Sequence, residues 1–109
     1  MIYNITPMIK KDIEVIMKLI LERLSNMDKW GGAHTALDNI RRSLPDHLRE
    51  SKEGNRNIEK AIKSLVNLGF ISAGKKRTGK GSDIHISLNT RTKKEIYEFI
   101  DKNERKEYL

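Results

Sequence analysis

Arg56, Lys60, Lys63 and Asn67 recur at intervals of four, three and four residues. On a helix that spacing gathers them on one side, where ammonium, guanidinium and carboxamide groups can meet an anionic partner with hydrogen-bonding edges, such as nucleic acid. Beyond them, Lys75, Lys76, Arg77 and Lys80 stand among Gly74, Gly79 and Gly81. The stretch 75–94 holds seven basic residues against Asp83 alone, so +6 of the chain's net +7 lies in twenty residues, while the last fifteen sum to −2. Such a block attracts polyanions, either nucleic acid or an acidic membrane surface; it is also the composition of a solvated loop that keeps a chain soluble. The same holds for the stripe, which read alone is equally the solvated face of a core helix.

Other chemistries find less footing. Gly79-Lys80-Gly81-Ser82 has the look of a phosphate loop, but it lacks the GxxxxGK[ST] spacing and falls between two strand-like segments, which excludes a nucleotide site. His34, His47 and His85 share no metal-ligand spacing and read as ordinary polar residues. The absence of cysteine removes thiolate chemistry, disulfides and Cys-type zinc sites. No Ser/His/Asp set or carboxylate pair falls at positions that would converge. The expectation is a protein that is not an enzyme and needs no cofactor or metal. Glu59 lies near the basic stripe and would repel phosphate unless it accepts from a cytosine amino group. Arg41 and Arg42 read as auxiliary phosphate contacts or as bystanders.

These residues need elements to hold them. A chain of 109 residues is one domain with one modest core. No window approaches 18 apolar residues, and Met1-Ile2-Tyr3-Asn4 does not open a secretory signal, so the expected setting is cytoplasmic. Thr6-Pro7 reads as a helix start, and Ile9, Ile13, Ile16, Met17, Ile20 and Leu24 form an amphipathic stripe that ends near Ser25 and Asn26. Met8, Val15, Leu19 and Leu21 lie off the stripe; with Tyr97, Phe99 and Ile100 they suggest a dimer seam or a wider core face. Trp30-Gly31-Gly32 reads as a loop or very short strand with Trp30 as an anchor. A second helix is expected from His34 or Thr35 to Leu44, closed by Pro45, then a polar connector over 45–54 with room for one helical turn. The third helix is expected from Asn55 or Asn57, with Ile58, Ala61, Ile62, Leu65 and Val66 inward and Gly69 as its left-handed terminator. Phe70 to Ala73 and Ile84 to Leu88 are strand-like, joined by a long basic tip. Thr92, three residues before Glu95, suggests a capping box for a last helix that buries Ile96, Phe99 and Ile100.

That order, together with Asn57 to Ile71 running from helix through Leu68-Gly69-Phe70-Ile71 into a strand, resembles a winged helix-turn-helix over about residues 8–100. It is similar in particular to small archaeal-type transcriptional regulators. The connector at 45–54 is longer than the three- or four-residue turn of the compact motif. The resemblance implies an α+β, mainly helical fold with a three-helix core, a β-hairpin wing and a C-terminal helix. It implies that the third helix enters the major groove of double-stranded DNA, with Arg56 on guanine, Asn57 or Asn67 on adenine, and Lys60 and Lys63 on bases or phosphates. Lys75, Lys76, Arg77 and Lys80 would follow the backbone or enter the minor groove. A homodimer on a pseudo-palindromic site is the implied assembly. The rival readings are a protein–protein or RNA-binding module in a transcription or replication assembly. The sequence names no effector.

Overall fold

The computed structural model describes residues 6–78 and 81–107. Among them the elements run α1 (Thr6–Asn26), β1 (Thr35–Ala36), α2 (Leu37–Ser43), α3 (Asp46–Arg49), α4 (Lys52–Asn67), β2 (Ile71–Thr78), β3 (Gly81–Leu88) and α5 (Lys93–Glu107), with a 3-10 turn at Thr90–Thr92 leading into α5. The fold is α+β, mainly helical, with one small antiparallel sheet in the order β1-β3-β2.

The stripe of α1 sets the core. Ile16, Met17, Ile20 and Leu24 are buried against Ile40 and Leu44 of α2, Ile58, Ala61, Ile62 and Leu65 of α4, Ile86 and Leu88 of β3, and Ile96 of α5. Each fully buried aliphatic side chain contributes about 1.5–3 kcal/mol relative to exposure. Leu21 is fully buried as well and Leu19 packs on the cluster from its edge. The apolar surplus expected on α1 is therefore largely core, because α1 packs on both α4 and α5. A helix wedged between two others buries a wider sector than a single stripe. The side chains of Met8 and Ile9 lie outside the described ones.

The ends of α4 are fixed by side chains on either side of it. At the start, the Gly54 amide donates to the Ser51 hydroxyl at 2.9 Å, an N-cap arrangement. The helix thus begins several residues before the expected Asn55, and much of the expected connector is helical, split between α3 and the first turn of α4. Asn55 donates to the carbonyls of Arg49 and Ser51 at 2.8 and 2.9 Å, which straps α3 to α4. At the far end Gly69 has φ +77°. Its amide donates to Val66, and that of Phe70 to Leu65, both at 3.0 Å, the Schellman pair that the Leu68-Gly69-Phe70 run predicts.

The Gly69 carbonyl receives the Asn89 carboxamide at 2.8 Å and the Thr92 hydroxyl at 3.0 Å. Thr92, the residue just before α5, thus donates its proton to the end of α4, and Asn89 caps the 3-10 turn by accepting from the Arg91 amide at 3.0 Å. Asn89→Ala removes both roles of that side chain and is expected to cost about 1–2 kcal/mol, a fall in melting midpoint of roughly 5–10 °C that thermal denaturation would register.

Two expectations about strands are corrected. Thr35 and Ala36 form β1, paired with Ile86 and His85, and the helix expected from His34 or Thr35 begins at Leu37. Pairing with β3 outweighs a two-residue extension of a short helix. The hairpin has no long loose tip: β2 and β3 pair without a break from Ile71↔Leu88 to Thr78↔Gly81. Lys75, Lys76 and Arg77 are strand residues, because cross-strand bonds accept any side chain that alternates to solvent. Gly79 and Lys80 lie outside the described residues.

Candidate nucleic-acid interface

The amphipathic pattern of α4 settles which side is free. Ile58, Ala61, Ile62 and Leu65 are buried, and Arg56, Lys60, Lys63 and Asn67 are exposed while Asn57 is half-buried. The basic stripe is thus a surface, and it is bordered by apolar Val66 in the last turn of α4 and Leu68 just past it, which are 40% and 52% exposed. Val66, expected inward, sits at the margin between the two faces. Glu59 is paired with Arg41 of α2, so the carboxylate beside the stripe carries its own countercharge.

Sheet register sorts the cations of the hairpin. Ile71, Ala73, Lys75 and Arg77 alternate onto the side that holds buried Ile86 and Leu88, whereas Lys76 shares the other side with Asp83 and His85. All three cations are exposed. Lys76 and Asp83 sit directly opposite each other, an arrangement that contributes about 0.2–1 kcal/mol between strands. The set Lys75, Lys76 and Arg77 therefore presents positive charge on both faces of one ribbon, which suits insertion between two rows of phosphates. Lys80 lies outside the described residues.

A second cluster of cations, two of which read in the sequence as auxiliary contacts or bystanders, occupies the junction of α2, α3 and α4. Arg41, Arg42, Arg49, Asn55 and Ile58 line an open cleft of about 190 Å³. Arg49 donates to the Arg42 carbonyl at 2.7 Å and so covers the end of α2, where basic groups complement the helix dipole. Arg42 pairs with Asp38 at 2.7 Å and Arg49 with Asp46 at 3.6 Å. These exposed pairs are worth little individually, and they leave two guanidinium groups, those of Arg42 and Arg49, lining the cleft beside the start of α4.

Spacing alone undervalues the histidines. His34, just before β1, and His85 of β3 meet with their Nδ1 atoms 2.8 Å apart and their rings edge to face at 4.8 Å. One ring must present Nδ1–H and the other a bare Nδ1. Desolvation holds the His34 pKa below its usual value, helped by the charges of Lys76, His85 and Lys29. The sequence separation of 51 residues hides the pair, and only the β1–β3 pairing reveals it. Trp30 is half-buried against the core, with Tyr97 at 6.0 Å between ring centroids and the Lys93 ammonium 5.2 Å from its ring centroid. Its indole is thus an anchor for the start of α5.

Among the described residues no group of three or more His, Cys, Asp or Glu converges as a metal site, and no helix is long and apolar enough to cross a membrane. Comparison with family models, with curated proteins and with solved structures finds no match to the chain.

Proposed function

We propose that this chain is a winged-helix protein that binds double-stranded DNA, probing the major groove with α4 and the backbone or minor groove with the β2–β3 hairpin. One observation carries the reading: the exposed basic face of α4 and the cation-bearing hairpin are joined by three residues, Leu68 to Phe70. Arg56 is suited to guanine, Asn57 and Asn67 to adenine, and Lys60 and Lys63 to bases or phosphates. The β1-β3-β2 order behind a helical core is what a wing requires, and the Arg41–Glu59 pair removes the main electrostatic objection to phosphate near α4. The finer assignment is a transcriptional regulator of archaeal type acting as a homodimer in the cytoplasm, without cofactor or catalytic role. Two copies would set their α4 helices in successive major grooves on a pseudo-palindromic site. Of the apolar surplus of α1, Leu21 and Leu19 belong to the core or pack on it, and sedimentation of the free and DNA-bound protein would test the pairing.

Lys60→Ala with Lys63→Ala is expected to weaken binding to mixed duplex fragments several-fold at 100 mM salt. It should also lower the slope of log affinity against log salt by about 1–2, since each phosphate left unneutralised takes roughly 0.9 from that slope. Unchanged affinity and slope would remove α4 from the interface. The second reading, a protein-binding module, is favoured by exposed Val66 and Leu68 at the end of the stripe; it requires that duplex binding be absent at moderate salt. Competition of labelled duplex with structured RNA separates the RNA-binding reading.

A further inference from the structure

The outer face of the sheet gathers groups that neither α4 nor the cation count explains. His85 alternates with fully buried Ile86 and so points away from the core, and His34 reaches it from the neighbouring strand edge at 2.8 Å. On that face Lys76 comes from β2 and Asp83 from β3, opposite each other. Lys29, in the segment between α1 and β1, adds its charge. The pair sits midway along the ribbon, where His85 faces Gly74, just inside the outer half that carries Lys75, Lys76 and Arg77.

We propose that His34 and His85 form a proton-coupled phosphate seat midway along the hairpin, so that a phosphate chain docking on Lys76 and Lys29 is held more tightly when the histidine pair takes up a proton. In its neutral form the pair has one Nδ1–H shared between two ring nitrogens. One added proton turns this into a charge-assisted N–H···N bond, which the 2.8 Å separation already accommodates; a second would set two donors against each other. The two rings can therefore hold one added proton between them. In the free protein the neighbouring cations oppose the first proton, and His34 is correspondingly held below the usual histidine range by desolvation and by Lys76, His85 and Lys29. A phosphate group that neutralises Lys76 and Lys29 lifts part of that opposition. By linkage, a ligand that raises the affinity for a proton is itself bound more tightly as protons become available.

A bound phosphate that offsets Lys76 and Lys29 raises the lowered His34 pKa, so the gain in binding is complete below the free His34 value and disappears as pH rises through the complexed value. Asp83, the carboxylate facing Lys76, favours the proton in both states and does not reverse that sign. DNA is named as the phosphate source by the proposed function, on which this part of the inference rests, but the seat itself is defined by phosphate chemistry.

Two measurements separate the seat from that reading. Histidine proton NMR of the intact chain, titrated with and without inorganic pyrophosphate, should show the His34 midpoint moving upward when pyrophosphate is present. Anisotropy of a labelled 20-base-pair duplex at constant ionic strength should show affinity rising roughly tenfold from pH 8 to pH 5.5, about one pKa unit of coupling. His34→Gln and His85→Gln should each flatten the rise and leave the pH 8 affinity in place. A His34 midpoint that ignores pyrophosphate overturns the seat, and so does duplex binding with the same pH dependence in wild type and both variants. A pyrophosphate-sensitive His34 midpoint without duplex binding at any pH would uphold the seat and overturn the DNA reading.

Discussion

Gly54→Ala is expected to lower the stability of the fold by about 3 kcal/mol, at the upper end of the usual overpacking range, and its melting midpoint by roughly 12–18 °C. In an exposed helix interior the same change gains close to 1 kcal/mol, since alanine is the better helix former. Here the methyl group has nowhere to go. A Cβ on Gly54 would stand 2.1 Å from the Leu48 carbonyl oxygen and 2.8 Å from its carbon. Both are backbone atoms of α3, so no side-chain rotation relieves the overlap. The helices must separate, which pulls the Asn55 straps off the Arg49 and Ser51 carbonyls and opens the arginine-lined cleft beside them. Gly69→Ala is the informative comparison. Open space surrounds Gly69, and its φ of +77° confines the penalty to a left-handed backbone, about 1–2 kcal/mol. Calorimetry of the two variants should therefore rank Gly54 well above Gly69. The reverse order would mean that α3 yields easily and does not brace α4.

The second large effect is expected on binding. Replacing Lys75, Lys76 and Arg77 together by alanine should leave stability within about 1 kcal/mol, as surface changes usually do, while duplex affinity at 100 mM salt falls by a factor of ten or more. The reason is release of counterions: each phosphate that the protein neutralises contributes roughly 0.9 to the salt slope, so removing three cations lowers it by up to about 2.7. The drop should be the same for unrelated sequences, because phosphates are alike from site to site. Arg56→Ala with Asn57→Ala, by contrast, should blur the preference among sequences in a selection from random duplexes. If the triple variant binds with an unaltered slope, the hairpin is not on the nucleic acid and its charge serves solubility.

How much of the fold and its surface is legible in the residues depends on the distance over which each feature is decided. The α1 stripe, the α4 stripe and the Leu68-Gly69-Phe70 terminator are settled within one or two helical turns, and each lies where spacing puts it. Thr35 and Ala36 read as helix because their strand partners, Ile86 and His85, are some fifty residues away. Gly54 reads as loop punctuation because glycine breaks helices in isolation; only the proximity of the Leu48 carbonyl explains a buried glycine in a first turn. Leu21 looks surplus because a stripe rule assumes one neighbour, and α1 packs on α2, α4, α5 and β3. The hairpin looks loose because lysine and glycine density is a poor guide where backbone pairing supplies the order. The exposure of Arg56, Lys60, Lys63 and Asn67 follows from their spacing, whereas the Arg41–Glu59 pair and the His34–His85 contact, which define the electrostatics around them, arise from tertiary proximity alone.

The clamp of Asn89 and Thr92 on the Gly69 carbonyl has a mechanical consequence. It ties the last turn of α4, the root of the hairpin and the entry to α5 at a single point, which acts as a fulcrum. The inner half of the paired strands is held by β1 and the core, and the four outer pairs, from Lys75↔Ile84 to Thr78↔Gly81, form a free arm of about 13 Å at 3.3 Å per residue. A tilt of about 5° sweeps the far end through roughly 1 Å, about a third of the roughly 3.4 Å step along one strand of a duplex. Whatever leans on α5, which reaches the same joint through Thr92, is thereby geared to the far end of the ribbon.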